Sequence, residues 1–88
     1  MYNTNREEFI MNNVIIYSAS WCVPCQAAKR WFDNKGITYI EKQVDDENDP
    51  SILKEFTDAG YRATPTIIIN DQVIVGNSPK KFQEALAM

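Results

Sequence analysis

Val14-Ile15-Ile16-Tyr17-Ser18-Ala19-Ser20-Trp21-Cys22-Val23-Pro24-Cys25 decides how the rest of the chain is read. Its first four residues are an unbroken apolar run rich in β-branched side chains, the pattern of a strand buried on both faces. The residues after Cys25 (Gln26, Ala27, Ala28, Lys29, Arg30, Trp31, Phe32) suit a helix. A cysteine at this strand-to-helix junction places its sulfur where unpaired backbone N–H groups and the helix macrodipole favour a thiolate. Such surroundings can bring a thiol pKa below its free value of about 8.5. The spacing lets the Cys25 sulfur reach a mixed disulfide formed on Cys22, which is the sequence form of a dithiol redox site.

Three other uses of such a cysteine pair compete with this one. Zinc would need a closed tetrahedron of cysteine, histidine or carboxylate ligands. The chain has two cysteines and no histidine, so a monomer cannot complete a nitrogen/sulfur site, and no metal is expected. A structural bridge closing so short a loop restrains the unfolded chain little. Two inert, buried thiols are the common fate of isolated cysteines, but the helix-start position and the intervening proline point away from it.

Eighty-eight residues are enough for one domain. Hydrophobic residues make up 44%, with two tryptophans, four tyrosines and four phenylalanines, so a core can form without disulfide or metal staples. Nine basic against twelve acidic residues give a formal net charge of −3, which argues against nucleic-acid and anionic-membrane partners. There is no apolar stretch of membrane-spanning length and no signal-like opening. A dithiol site with no other cysteine fits a reducing, cytoplasmic setting.

Residues 1–13 read as a polar N-terminal extension, with Thr4 and Glu7 at the spacing of a capping box. Residues 14–88 read as the folded domain. Within it, Ala27, Ala28, Trp31 and Phe32 share one face of the first helix, and Gly36 caps its end. Ile37 to Val44 reads as a second strand. The acidic run Asp45-Asp46-Glu47-Asn48-Asp49 reads as a solvated loop, with Asp49 capping a second helix and Pro50 in its first turn. Ile52, Leu53, Phe56 and Ala59 are its expected buried stripe. Ile67–Ile69 and Val73–Val75 flank Asn70-Asp71, a two-residue hairpin signal. Pro79 opens a last helix with Phe82, Ala85 and Leu86 inward. The order β-α-β-α-β-β-α predicts an α/β fold, a four-stranded mixed sheet with helices on both faces. With three widely separated glycines there is no phosphate-cradling loop, and without histidine there is no Cys–His couple.

With these elements in place, the chain resembles the thioredoxin superfamily at glutaredoxin length, most closely its NrdH-redoxin branch. The resemblance is carried by Cys22-Val23-Pro24-Cys25, Ala27, Lys29-Arg30, Asp33, Gly36-Ile37 and Tyr39, then by Gly60-Tyr61 and Ala63-Thr64-Pro65. It implies a thioredoxin-like, glutaredoxin-type fold and a dithiol–disulfide oxidoreductase. Cys22 resembles the nucleophile and Cys25 the resolving thiol, so a Cys22–Cys25 disulfide forms on oxidation. Pro65 resembles the cis-proline beside that disulfide, and Thr64 the residue whose backbone pairs with an extended substrate. Trp21, Val23 and Pro24 flank the same substrate site. The implied partners are protein disulfides, ribonucleotide reductase among them. Reducing equivalents would come from a thioredoxin-reductase-type flavoprotein or from glutathione, with no bound cofactor and a monomeric chain. The alternative within the class is a glutathione-dependent glutaredoxin acting on mixed disulfides, and from another class a non-catalytic binding module.

The chain also departs from its relatives. Ile16 stands where thioredoxin keeps a buried aspartate, and Ala19 where glutaredoxins commonly carry lysine. Gly76-Asn77-Ser78 replaces the glycines and acidic residues that hold the carboxylate end of glutathione.

Overall fold

The computed structural model describes residues 13–87; the Thr4–Glu7 capping box lies outside them. The elements are β1 (Val14–Ser18), α1 (Val23–Asn34), β2 (Ile40–Gln43), α2 (Ser51–Asp58), β3 (Thr66–Ile69), β4 (Gln72–Val75) and α3 (Pro79–Ala85). They build one sheet in the order β2-β1-β3-β4. β1 pairs parallel with β2 and antiparallel with β3, which pairs antiparallel with β4. The fold class expected from the sequence is therefore the one observed.

Alternation along the strands assigns the faces. Val14, Ile16, Ile67, Ile69 and Ile74 share a buried cluster with Ala28 and Phe32 of α1 and with Phe82, Ala85 and Leu86 at α3. Trp31 packs at its edge, 5.0 Å from Phe32 and 5.4 Å from Phe82 between ring centroids. On the opposite face Tyr17 meets Phe56 of α2 at 5.4 Å and Tyr61 at 5.7 Å. Central β1 is thus buried from both sides, as its unbroken apolar run requires.

Both long turns out of helices close in the same way. Ile37 N–H bonds to Phe32 C=O and Gly36 N–H to Asp33 C=O; Tyr61 repeats this with Phe56, and Gly60 with Thr57. Gly36 and Gly60 sit at φ +70° and +87°, the left-handed conformation these caps demand. In the hairpin, Asn70 and Asp71 both take positive φ, 49° and 72°, so the turn is the two-residue type whose twist matches the strands.

Three local expectations are corrected. β2 begins at Ile40 rather than Ile37, because Ile15 pairs with Ile40 at the start of the ladder. Ile37 and Tyr39 instead pack as partly buried side chains against the core. The stripe of α2 is narrower than expected: Phe56 is buried, Ile52 half-buried, Leu53 48% exposed and Ala59 exposed. Eight residues cannot cover the whole sheet face, and the rung Ile40–Ile15–Ile68–Val73 runs across it with Ile40 and Val73 largely exposed. Finally, Pro50 rather than Asp49 occupies the cap position of α2, without a side-chain cap bond; the Asp49 carboxylate accepts the Ser51 hydroxyl instead, at 2.5 Å.

The α2 face also yields a pH prediction. The Tyr17 hydroxyl donates to Glu55 at 2.5 Å, and Lys42 bridges the same carboxylate at 2.7 Å. Burial, then the hydrogen bond and charge of Glu55, push the Tyr17 hydroxyl up to about 12 from its ordinary 10.0. A phenol whose folded pKa is raised contributes stability that is complete below the unfolded value and lost as pH climbs toward the folded one. Urea midpoints measured from about pH 9 to about pH 12 should therefore fall more steeply for the wild type than for Tyr17→Phe. Equal slopes would show that Tyr17 is not linked to folding.

Candidate active site at the head of helix 1

β1 ends at Ser18, and the chain turns over residues 19–22, closed by Cys22 N–H to Ala19 C=O at 3.2 Å. Cys22 is the N-cap of α1, with extended φ −92° and ψ 107°, and its Sγ accepts the N–H of Cys25 at 3.2 Å. A sulfur therefore does what a serine or threonine oxygen does at an ordinary helix start. Pro24 falls in the first helical turn, where the missing N–H costs nothing. Cys22 and Cys25 form a disulfide, with Cα atoms 5.2 Å apart.

Cys22 is 2% and Cys25 0% exposed, and together with Ala19 they form a small apolar cluster against which Val44 packs. Trp21 (74% exposed) and Val23 (76%) stand out beside them, and Pro24 is exposed as well. Large apolar side chains are thus left in solvent next to Cys22 in the chain, on its N-terminal and its C-terminal side.

The Thr64–Pro65 peptide bond is cis, as the resemblance implied. Pro65 is buried and Thr64 half-buried. Thr66 donates its hydroxyl to Ala63 C=O at 2.6 Å, and Pro65 C=O accepts Gly76 N–H at 2.8 Å. Because Tyr17 pairs with Thr66 in antiparallel register, residues 63–65 enter the sheet at the end where β1 leaves it. Parallel β2 finishes at that end too, with Ser18 opposite Gln43. Three segments thus meet at one end of the sheet: the cysteine turn, the cis-proline loop and the start of the acidic run.

The acidic run was expected to be a solvated loop; its first member does more. Asp45 accepts Ser20 N–H, at 3.1 and 3.3 Å to its two oxygens, and also the Ser20 hydroxyl. Those bonds, the hydroxyl's foremost, hold its carboxyl below the usual carboxylate range. Nothing in the run of five polar residues singles Asp45 out; only its place directly after a strand end could have marked it. On the α1 face, Glu41 accepts from Ser18 and Lys29 at 2.7 and 2.8 Å. Burial raises the Glu41 carboxyl, but the bonds from Lys29 and Ser18 and the Lys29 charge outweigh it, and the net shift is downward. Lys29 is thereby engaged with Glu41 rather than with the sulfurs.

A cavity of about 390 Å³ is lined by Asp33 and residues 36–39. It sits at the far end of α1, about 12 Å of helix from Cys25 to Asp33 at 1.5 Å per residue, and is separate from the site. Among the described residues no group of three or more histidine, cysteine or acidic side chains gathers as a metal site, and no helix is long and apolar enough to cross a membrane.

Comparison with known proteins agrees with this geometry. The glutaredoxin family model matches residues 14–74. The glutaredoxin-like protein NrdH of Lactococcus lactis is 28% identical over 69 residues, covering 78% of this chain and 93% of its own. Glutaredoxin-C6 of Oryza sativa is 36% identical over 67 residues, 72% of this chain and 58% of the rice protein. Among solved structures, the Escherichia coli NrdH-redoxin, described as glutaredoxin-like with a thioredoxin-like activity profile, superimposes with a TM-score of 0.71. It is 28% identical and covers 82% of this chain and 92% of its own. Family, fold and a disulfide-forming pair at a helix start agree, and the chain belongs to the glutaredoxin family, a thiol–disulfide oxidoreductase of the thioredoxin superfamily.

Proposed function

We propose that the chain reduces protein disulfides, with Cys22 as nucleophile and Cys25 as resolving thiol. The carrying observation is the Cys25 N–H aimed at Cys22 Sγ at the start of α1: the donor that meets the sulfur in the disulfide is placed to stabilise negative charge on it once reduced. In the first step the Cys22 thiolate attacks one sulfur of the substrate disulfide, forming a mixed disulfide and expelling the other substrate sulfur as a thiolate. Cys25, having lost its proton to solvent, then attacks Cys22 Sγ and expels the second substrate sulfur. The substrate gains two electrons, Cys22–Cys25 becomes the disulfide, and the released thiolates take up protons from water.

Trp21, Val23 and Pro24 form the docking rim. Thr64, held by cis Pro65, presents its backbone to an extended substrate strand. The disulfide is recharged by a thioredoxin-reductase-type flavoprotein, and ribonucleotide reductase is the foremost candidate substrate; the NrdH likeness supports both, and the replacement of glutathione-carboxylate ligands by Gly76-Asn77-Ser78 favours the flavoprotein over glutathione. A reducing, cytoplasmic setting suits this role.

The test is NADPH oxidation coupled to a disulfide substrate, run in parallel with thioredoxin reductase and with glutathione plus glutathione reductase. Turnover with the flavoprotein and little with glutathione is expected. Turnover with glutathione alone would overturn the assignment of the electron source and place the chain with the glutathione-dependent glutaredoxins.

A further inference from the structure

The reaction depends on where the turn carrying Cys22 sits, and that turn has already left the sheet. The β1–β2 ladder runs to Ser18↔Gln43, and Val44 N–H to Ser18 C=O at 2.8 Å is its last backbone bond. Beyond it, Ser20 and Trp21 are the central residues of the turn closed by Cys22 N–H and Ala19 C=O. The Ser20 N–H points out of that turn and has no strand to bond to. The Asp45 carboxylate takes it with both oxygens, and takes the Ser20 hydroxyl as well. The preceding residue, Val44, packs against Ala19, Cys22 and Cys25. Two consecutive residues of one loop therefore hold the turn, Val44 by its apolar underside and Asp45 by its outward polar groups.

We infer that Asp45 is a positioning residue for disulfide exchange, its carboxylate supplying the missing rung that locates Cys22 against the N–H of Cys25. The inference rests on Cys22 being the nucleophile. Its role is directional rather than electrostatic. A negative charge beside a thiolate disfavours it, so a carboxylate acting through its charge alone would hinder the reaction. A carboxylate acting as a hydrogen-bond acceptor helps it, because displacing a reacting group by about 1 Å can cost about a hundredfold in rate.

That opposition of sign makes the test decisive. Full-length Asp45→Ala, Asp45→Asn and Ser20→Ala are compared with the wild type. The first readout is iodoacetamide alkylation of the reduced protein across pH, with mass spectrometry locating the label; the second is kcat/KM for a protein disulfide. Asp45→Ala should slow both by about tenfold. Asp45→Asn, whose amide oxygen still accepts the Ser20 N–H, should stay within about threefold of wild type. Ser20→Ala should fall between them, and Ser20→Ala added to Asp45→Ala should cost nothing further, as for two halves of one interaction. Thermal unfolding of each variant identifies any that does not fold. If Asp45→Ala is one, Ser20→Pro decides, because proline suits the second position of a turn and removes both the N–H and the hydroxyl given to Asp45, a slowing supporting the clasp and a wild-type rate overturning it. Faster alkylation in both Asp45 variants would show that only charge matters, and an unchanged rate in Asp45→Ala would show that the clasp positions nothing; either overturns the inference. First labelling at Cys25 would instead overturn Cys22 as nucleophile, a separable failure.

Discussion

Cys22→Ser is expected to lower disulfide reduction by about 10³-fold or more, the scale on which removal of a covalent nucleophile acts, while leaving the fold intact. A serine at the N-cap can accept the same Cys25 N–H that Cys22 Sγ accepts at 3.2 Å, so the helix start survives and the chemistry does not. Cys25→Ser should behave differently. The first attack proceeds, resolution cannot, and the protein accumulates as a covalent adduct on Cys22 whose mass identifies the substrate half. Intact-mass spectrometry after incubation with a disulfide substrate separates the roles. No adduct on Cys22 in the Cys25→Ser protein, with turnover retained in Cys22→Ser, would remove the basis for the assignment.

Phe32→Ala is expected to cost about 3–5 kcal/mol of folding free energy. The ring is 0% exposed and lies 5.0 Å from Trp31, 5.1 Å from Phe82 and 6.0 Å from Tyr39. Four aromatic rings from α1, α3 and the segment before β2 thus share one contact region, and removing the central ring leaves a cavity that none of the others can fill without leaving its own partners. Domains of this kind have about 5–15 kcal/mol in total, so the loss is a large share. Urea unfolding should show a much lower midpoint with the slope unchanged, while Phe32→Leu, which keeps part of the buried volume, should cost less than Phe32→Ala. A Phe32→Ala midpoint close to wild type would mean that α1 is not held by this cluster. The site would feel the change too, since Cys25, Ala28 and Phe32 lie along the same buried side of α1.

The parts of the fold that were legible in the sequence are those governed by local rules. The unbroken run at Val14 meant a central strand, Asn70-Asp71 meant a tight hairpin, and cysteines at a strand–helix junction meant a sulfur at a helix N-cap. Each was determined within a few residues. The parts misread depended on distant partners. Periodicity shows that Ile52, Leu53, Phe56 and Ala59 share a side of α2, but not that the sheet beneath is wider than the helix. The composition of residues 45–49 shows a polar loop, but not that Asp45 lies within hydrogen-bond reach of Ser20, 25 positions earlier. The cis bond at Pro65 came from resemblance alone, because most X-Pro bonds are trans.

The two residues enclosed by the cysteines have an unusual freedom. The sulfurs at 22 and 25 are buried against the domain's own packing, whereas Val23 and Pro24 point into solvent and belong to neither apolar cluster. The dipeptide between the sulfurs can therefore be exchanged without disturbing the interior that keeps the protein folded.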